Sequence, residues 1–100
     1  MNIIKVVNGK VILCTLTGSH IRTIVHNNAI DADMNSSQTK ILVTTSDGKV
    51  KLYTNGGSLI RTLIHDNAIN SKFSGSDILI KTNTKYVLVN ESGSLIRSYN

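Results

Sequence analysis

The chain repeats itself almost three times. Residues 18–30 (GSHIRTIVHNNAI) return as residues 57–69 (GSLIRTLIHDNAI), and the first half of this segment returns again at residues 93–99 (GSLIRSY). The copies are spaced by 39 residues and then by 36. A period of about 20–50 residues is typical of architectures in which identical units bury their apolar surfaces against one another. We therefore expect one structural unit, stacked nearly three times.

Each repeat contains short β-branched and aliphatic segments separated by Gly, Asn, Asp and Ser clusters, a pattern that predicts strands joined by tight turns. Between the second and third segments lie Asn8-Gly9 and Asp47-Gly48. Such pairs favour two-residue type I′ turns with positive φ at both residues. The expected strands, grouped by their place in the repeat, are residues 29–34 and 68–73; 3–7, 41–45 and 78–82; 10–15, 49–54 and 85–90; and 19–25, 58–64 and 94–99.

Several of these strands are apolar on both faces, for example at residues 78–80 and 87–89. This is expected for a sheet that packs between two other sheets. Four antiparallel strands in a unit of about 40 residues are typical of a β-propeller blade. We therefore predict an all-β fold of β-propeller blades, two of them full and one three-stranded. They form one domain over residues 1–100, with repeats at approximately 1–25, 26–64 and 65–100.

The residues around the second strand of the repeat carry a more specific pattern. His26 precedes the first strand, Thr45 ends the second, Asp47 lies in the turn and Tyr53 lies in the third strand. This order resembles the WD-repeat family, in which a His, a Ser or Thr, a turn Asp and a Trp form a buried hydrogen-bonded tetrad. The resemblance implies a structural tetrad of these four residues, with Tyr53 in the place of the family's Trp.

The next repeat departs from this pattern. His65 is kept, but Asn83-Thr84 replaces the acidic turn and Val89 replaces the aromatic residue. The recurrence of His26 and His65 is also compatible with metal ligands or general bases. Equivalent residues of adjacent blades lie well apart, however, so we interpret both histidines as structural. No residue is predicted to be catalytic, to ligate a metal or to bind a cofactor.

The innermost strands carry polar residues at alternate positions. Asp31 and Asp33 share one face of the first such strand, and Asn70 and Lys72 stand at the matching positions of the next. Two carboxylates on one face are compatible with a cation site in a central channel. Because Lys72 would repel a cation, we favour a salt bridge or a solvated channel wall.

An arginine recurs at one position of the outermost strand, as Arg22, Arg61 and Arg97. In a closed ring these residues form a regular set of cations around the rim. They are compatible with a binding site for acidic partners, or with a charged outer strand that discourages edge-to-edge aggregation. We favour the second interpretation.

Composition excludes several classes of function. The net charge of +5 permits weak contact with polyanions, but the basic residues are scattered and the chain has three Tyr, one Phe and no Trp, which argues against nucleic-acid binding. The same scarcity of aromatic residues disfavours the alternative of a small glycan-binding lectin.

No nucleophile elbow, phosphate loop or metal-ligand spacing is present, so we do not expect an enzyme. The single Cys14 excludes an intrachain disulfide and is expected to be a small buried hydrophobe.

The strand count predicts self-assembly. Three blades expose two apolar flanks, and propellers close with about 4 to 8 blades. We therefore expect a head-to-tail homodimer with a six-bladed ring, or alternatively a trimer, with contacts between residues 1–25 of one copy and 66–100 of the next. Such a ring is expected to be a non-enzymatic scaffold for a protein or peptide ligand. No apolar run approaches membrane-spanning length, and no secretory signal peptide is recognisable, which favours a cytoplasmic location.

Overall fold

The computed structural model describes residues 2–64 and 66–99, in which all regular secondary structure is β-strand. The strands form three antiparallel sheets, and within each sheet the spatial order follows the chain. These residues contain no helix long and apolar enough to cross a membrane. Sheet 1 consists of β1 (Asn2–Val7), β2 (Lys10–Thr15) and β3 (His20–Val25); sheet 2 of β4 (Ala29–Met34), β5 (Lys40–Thr45), β6 (Val50–Thr54) and β7 (Leu59–Ile64); and sheet 3 of β8 (Ala68–Ser74), β9 (Asp77–Thr82), β10 (Tyr86–Val89) and β11 (Leu95–Tyr99).

The expected strands are confirmed, since each predicted end differs from the observed end by at most one residue. The turn prediction is confirmed at Asn8-Gly9, where both φ angles are positive (51° and 80°) and Val7 pairs with Lys10. It is wrong at Asp47-Gly48, where Gly48 alone has a positive φ, 86°.

Ser46 explains the difference, because it adds a third residue to the second turn. The amide of Thr45 donates to the carbonyl of Lys49 at 2.9 Å, and the amide of Gly48 donates to the carbonyl of Thr45 at 3.0 Å. This pattern closes a three-residue loop in which a left-handed glycine follows a type I turn.

Sheet 2 packs between the other two sheets, as the apolar pattern predicted. Ile41 and Val43 of β5 belong to the core cluster shared with sheet 1, whereas Leu42 belongs to the cluster shared with sheet 3. All three side chains are completely buried. Each contributes about 1.5–3 kcal/mol through removal of apolar surface from water. Cys14 is likewise buried, which confirms its prediction as a small core residue.

Consecutive sheets are joined by one repeated backbone contact. The carbonyl of Gly9 accepts a hydrogen bond from the amide of Ala29 at 2.9 Å, where sheet 1 meets sheet 2. The carbonyl of Gly48 accepts one from the amide of Ala68 at 3.0 Å, where sheet 2 meets sheet 3. We call these two contact regions the first junction and the second junction.

Candidate functional site at the sheet junctions

The four residues of the expected tetrad line one pocket at the first junction. The pocket has a volume of about 270 Å³ and lies between the end of β3 and the turn that joins β5 to β6. His26 approaches it from the connection to β4, and Tyr53 approaches it from β6. The fold therefore brings together side chains that lie up to 27 residues apart, from His26 to Tyr53.

Within this pocket, Thr45 is the anchor. Its side chain is buried, its hydroxyl donates a hydrogen bond to the Asp47 carboxylate, and it accepts one from the Lys49 amide at 3.2 Å. Asp47 itself is exposed to solvent. The hydrogen bond from Thr45, assisted by the Lys49 ammonium 3.6 Å away, lowers the pKa of Asp47 below its ordinary value of 3.8 despite an opposing desolvation effect.

The other two members of the set lie in different environments. His26 is exposed, whereas Tyr53 is partly buried, and this burial raises the pKa of its hydroxyl above the ordinary value of 10.0. Within the described residues, the side-chain hydrogen bond that joins members of the set is the one from Thr45 to Asp47. The complete tetrad stays a prediction.

The second junction has an equivalent pocket with different chemistry. It has a volume of about 340 Å³, and its turn contributes Thr82 and Thr84. The Thr82 hydroxyl donates to the carbonyl of Lys85 at 2.9 Å instead of to a carboxylate. His65, which the sequence places at this junction, lies outside the described residues. The acidic turn is therefore not repeated from one junction to the next.

The inner-strand carboxylates bind backbone amides of the following sheet. Asp33 accepts a hydrogen bond from the amide of Phe73 at 2.8 Å, and Asp31 accepts a longer one from the amide of Ser71 at 3.4 Å. Both amides belong to β8, on the edge that β9 does not cover. The residues at the matching positions of β8 are Asn70, which is partly buried, and Lys72, which is exposed. Whether these four side chains line a channel stays a prediction.

Of the two interpretations that we favoured for the aspartates, a salt bridge is not formed with any of the described residues, and the solvated channel wall stays a prediction. In the described parts of the chain, the ion pairs join Lys40 to Glu91 and Lys49 to Asp47. The first of these connects β5 to the turn between β10 and β11, so it also ties sheet 2 to sheet 3. It is partly exposed and is expected to contribute little, about 0–1 kcal/mol.

Sequence reasoning missed a buried polar pair at the second junction. The hydroxyl groups of Thr44 and Ser71 lie 2.9 Å apart, and both side chains are completely inaccessible to solvent. The matching positions at the first junction carry Val6 and Ala32. A signal was available: both positions change together from apolar to hydroxyl-bearing residues between the two repeats.

The recurring arginines reach the next sheet. Arg22 donates to the carbonyl of Gly56 at 3.4 Å, and Arg61 donates to the carbonyl of Ser92 at 3.2 Å. Gly56 and Ser92 precede the equivalent glycines of the turns before β7 and β11. Arg97 lies on the last strand, where its guanidinium is 6.0 Å from the ring of Tyr99. Arg22 and Arg61, whose sheets are followed by another sheet, therefore contact that next sheet. A role of the arginines in binding acidic partners stays a prediction.

Charged side chains of the inner strands and of the rim contact neighbouring sheets. In residues 2–64 and 66–99, no three His, Cys, Asp or Glu side chains converge so that they could hold a metal ion. The carboxylates of Asp31 and Asp33 accept hydrogen bonds from backbone amides, and the guanidinium groups of the first two rim arginines donate to backbone carbonyls. These are charge-assisted hydrogen bonds. In the described residues, these charged groups are therefore used for contacts between neighbouring sheets.

Comparison with known proteins supports the fold through structure alone. No protein-family model matches the sequence, and no curated protein sequence matches it significantly. The chain is similar in structure to Saccharomyces cerevisiae Sqt1 (TM-score 0.75, 13% identity), to the WD40 domain of Neurospora crassa Pan2 (0.74, 16%) and to the β-propeller domain of Myceliophteria thermophila Cps50 (Swd1) (0.70, 14%). Each alignment covers 98% of this chain and 29%, 32% and 34% of the respective structure.

The three sheets are therefore WD-repeat-like propeller blades, as the sequence resemblance implied. The chain spans about a third of the length of these structures. At such low identity the similarity establishes the fold of the blades.

Proposed function

We propose that this chain is a non-enzymatic, protein-binding scaffold whose blades belong to a closed ring built from copies of the same chain. The observation that supports this proposal is the far face of sheet 3, which does not pack on sheet 2. Leu79, Tyr86, Leu88 and Tyr99 line an open apolar depression of about 500 Å³ on this face. Both tyrosines are more than 40% exposed.

The repeat indicates what covers this face. In sheet 2 the equivalent residues are Leu42, Val50, Leu52 and Leu63, and all four are buried in the cluster shared with sheet 3. The same pattern of side chains is thus buried by a following blade in one sheet and uncovered in the next. An apolar face that is left uncovered in this way supports contact with a further blade.

The arginine contacts extend the same argument. Arg22 and Arg61 each bind a carbonyl of the turn that precedes the outer strand of the next sheet. By the same register, Arg97 would donate to the carbonyl of Thr17 in sheet 1 of a second copy. Two copies of three blades give six, within the range of about 4 to 8 blades that close a propeller. We propose this homodimer, with the nine-bladed trimer as the alternative.

The test is the mass of the native particle, measured by light scattering for the wild-type chain and for Leu88→Asp. A charge on the sheet 3 face should convert a dimer into a monomer without loss of β-sheet signal. Leu59→Asp is the matched control, since Leu59 is 53% exposed on the outer strand of sheet 2, away from both end faces. A wild-type monomer at micromolar concentration would refute ring assembly, and a trimer would refute the blade number.

A further inference from the structure

The inner edge of β1 faces away from β2 and carries backbone donors and acceptors. Within residues 2–64 and 66–99, β2 is the one sheet partner of β1. The amide of Asn2 points away from β2, because it donates to the side-chain oxygen of Gln38 at 3.0 Å. Alternate residues of a strand direct their backbone groups to the same side, so Ile4 and Val6 present theirs on this edge as well.

Sheet 2 shows what this edge pairs with when it is covered. There β5, the counterpart of β1, pairs along the same side with the inner strand β4. β4 also lies beside β1 in the same way that β8 lies beside β5. The edge of β1 at Ile4 and Val6 therefore lies at the position where sheet 2 carries its inner strand, while the Gln38 side chain occupies the end of this edge at Asn2.

The neighbouring strand β4 indicates which side chains an inner strand added beside β1 should carry. At the second junction, Asp31 and Asp33 extend from β4 and accept the edge amides of Ser71 and Phe73. The counterparts of these two amides in β4 are those of Ala32 and Met34, which face the side of β1. The amides of Ala32 and Met34 would be matched by acceptors on the incoming strand, at the positions that correspond to Asp31 and Asp33 of β4. A chain with a net charge of +5 also favours an acidic partner.

We propose that the β1 edge binds an extended acidic segment of a partner protein, with carboxylates at alternate positions, which adds as an antiparallel inner strand. Main-chain hydrogen bonds to Ile4 and Val6 would provide affinity, and carboxylates against the amides of Ala32 and Met34 would provide specificity. The proposal rests on the protein-binding role proposed above and does not depend on ring closure.

The probe is a synthetic peptide with the sequence of the chain's own inner strand, residues 28–34 (Asn-Ala-Ile-Asp-Ala-Asp-Met). Its binding to the intact chain is measured by fluorescence anisotropy and by amide shifts in NMR spectra. We expect saturable binding that shifts the amides of β1 and β4. A peptide in which both Asp residues are replaced by Asn should bind about tenfold more weakly, because charge-assisted hydrogen bonds are replaced by neutral ones.

Two variants test the edge itself. Val6→Pro removes an amide that points away from β2, a position that an edge strand tolerates, and should abolish peptide binding. Val6→Thr keeps the amide and reproduces the residue found at the equivalent position, Thr44, so it should bind like the wild type. Circular dichroism confirms that Val6→Pro retains its β-sheet content.

Three outcomes overturn the proposal. Equal affinity of the Asp and Asn peptides removes the acidic specificity, and unchanged binding by folded Val6→Pro removes the β1 edge as the site. If Val6→Pro instead dissociates the native particle while Leu88→Asp does not, the edge pairs with a second copy of the chain. Peptide binding by a monomeric wild-type chain would refute ring assembly and leave this site in place, so the two failures are distinguishable.

Discussion

The two junctions share one framework and differ in their polar contacts. Each is fixed by a turn glycine whose carbonyl accepts the first amide of the next inner strand, at 2.9 and 3.0 Å. The second junction adds the buried Thr44–Ser71 pair and the aspartate contacts to β8. The first junction has Val6 and Ala32 at the positions of the buried pair. The backbone contact is therefore repeated at both junctions, whereas the polar side-chain contacts differ between them.

The largest difference between the junctions should come from their glycines. A Cβ atom at Gly48 would lie 2.5 Å from the amide nitrogen of Asn67, whereas one at Gly9 would lie 3.1 Å from that of Asn28. Both glycines have positive φ, which costs any other residue about 1–2 kcal/mol. Gly48→Ala therefore adds a backbone clash and should destabilise the chain by about 3 kcal/mol or more, against about 1–2 kcal/mol for Gly9→Ala.

Urea denaturation of the two glycine variants measures this difference. Equal losses of unfolding free energy would show that the second junction relaxes around the added methyl group as easily as the first.

A second prediction converts one junction into the other. Thr44→Val alone leaves the buried Ser71 hydroxyl without its partner and should cost about 1–3 kcal/mol. The double variant Thr44→Val and Ser71→Ala reproduces the chemistry of the first junction. It should recover most of the loss, because neither group is then left unsatisfied. A double-mutant cycle by chemical denaturation gives the coupling energy. Additive effects of the two substitutions would contradict the prediction.

The sequence predicts the strands well because their determinants are local. Apolar segments, turn residues and the repeat itself place every strand to within one residue. The second turn was misassigned because Ser46, one residue before Asp47-Gly48, decides the loop length. The contacts between sheets could not be read in this way. Asp33 and Phe73 are 40 residues apart, and their hydrogen bond depends on the distance between two inner strands, which the pattern of either strand leaves open.

The same limit applies to the candidate site. The sequence order places Thr45 and Asp47 in contact, since they are two residues apart at a turn. It does not determine how far His26 is buried, because that depends on the packing of the connection before β4, and His26 is exposed. The resemblance implied a tetrad of four residues; the described residues show the hydrogen bond between Thr45 and Asp47, and the complete tetrad stays a prediction.

A third and smaller effect concerns the inner-strand edges. Asp33→Ala removes the acceptor of the Phe73 amide, so exchange of that amide with solvent should accelerate, by about tenfold for a contact of about 1.4 kcal/mol. The amide of Met34 is the counterpart of the Phe73 amide at the first junction. It should exchange rapidly in the wild type and in Asp33→Ala. Hydrogen exchange followed by NMR resolves the two. A slow Met34 amide in the wild type would contradict the interpretation that the edge of β4 is open.

The smallest expected effect is a pH dependence of the β5–β6 turn, whose Asp47 lines the pocket of the first junction, which the β9–β10 turn at the pocket of the second junction lacks. The hydrogen bond from Thr45 lowers the pKa of Asp47 in the folded chain below its ordinary value of 3.8, so the contribution to stability is present above pH 3.8 and is lost as the pH falls through the folded value. Asp47→Asn keeps an acceptor for Thr45 but does not titrate. Wild type should therefore lose its stability advantage over Asp47→Asn below pH 3.8, in thermal unfolding measured from pH 2 to 7. Thr84→Ala, at the non-acidic turn, is the control and should differ from the wild type by a constant amount across this range. A pH-independent difference between wild type and Asp47→Asn would show that the exposed carboxylate contributes to stability through its shape alone.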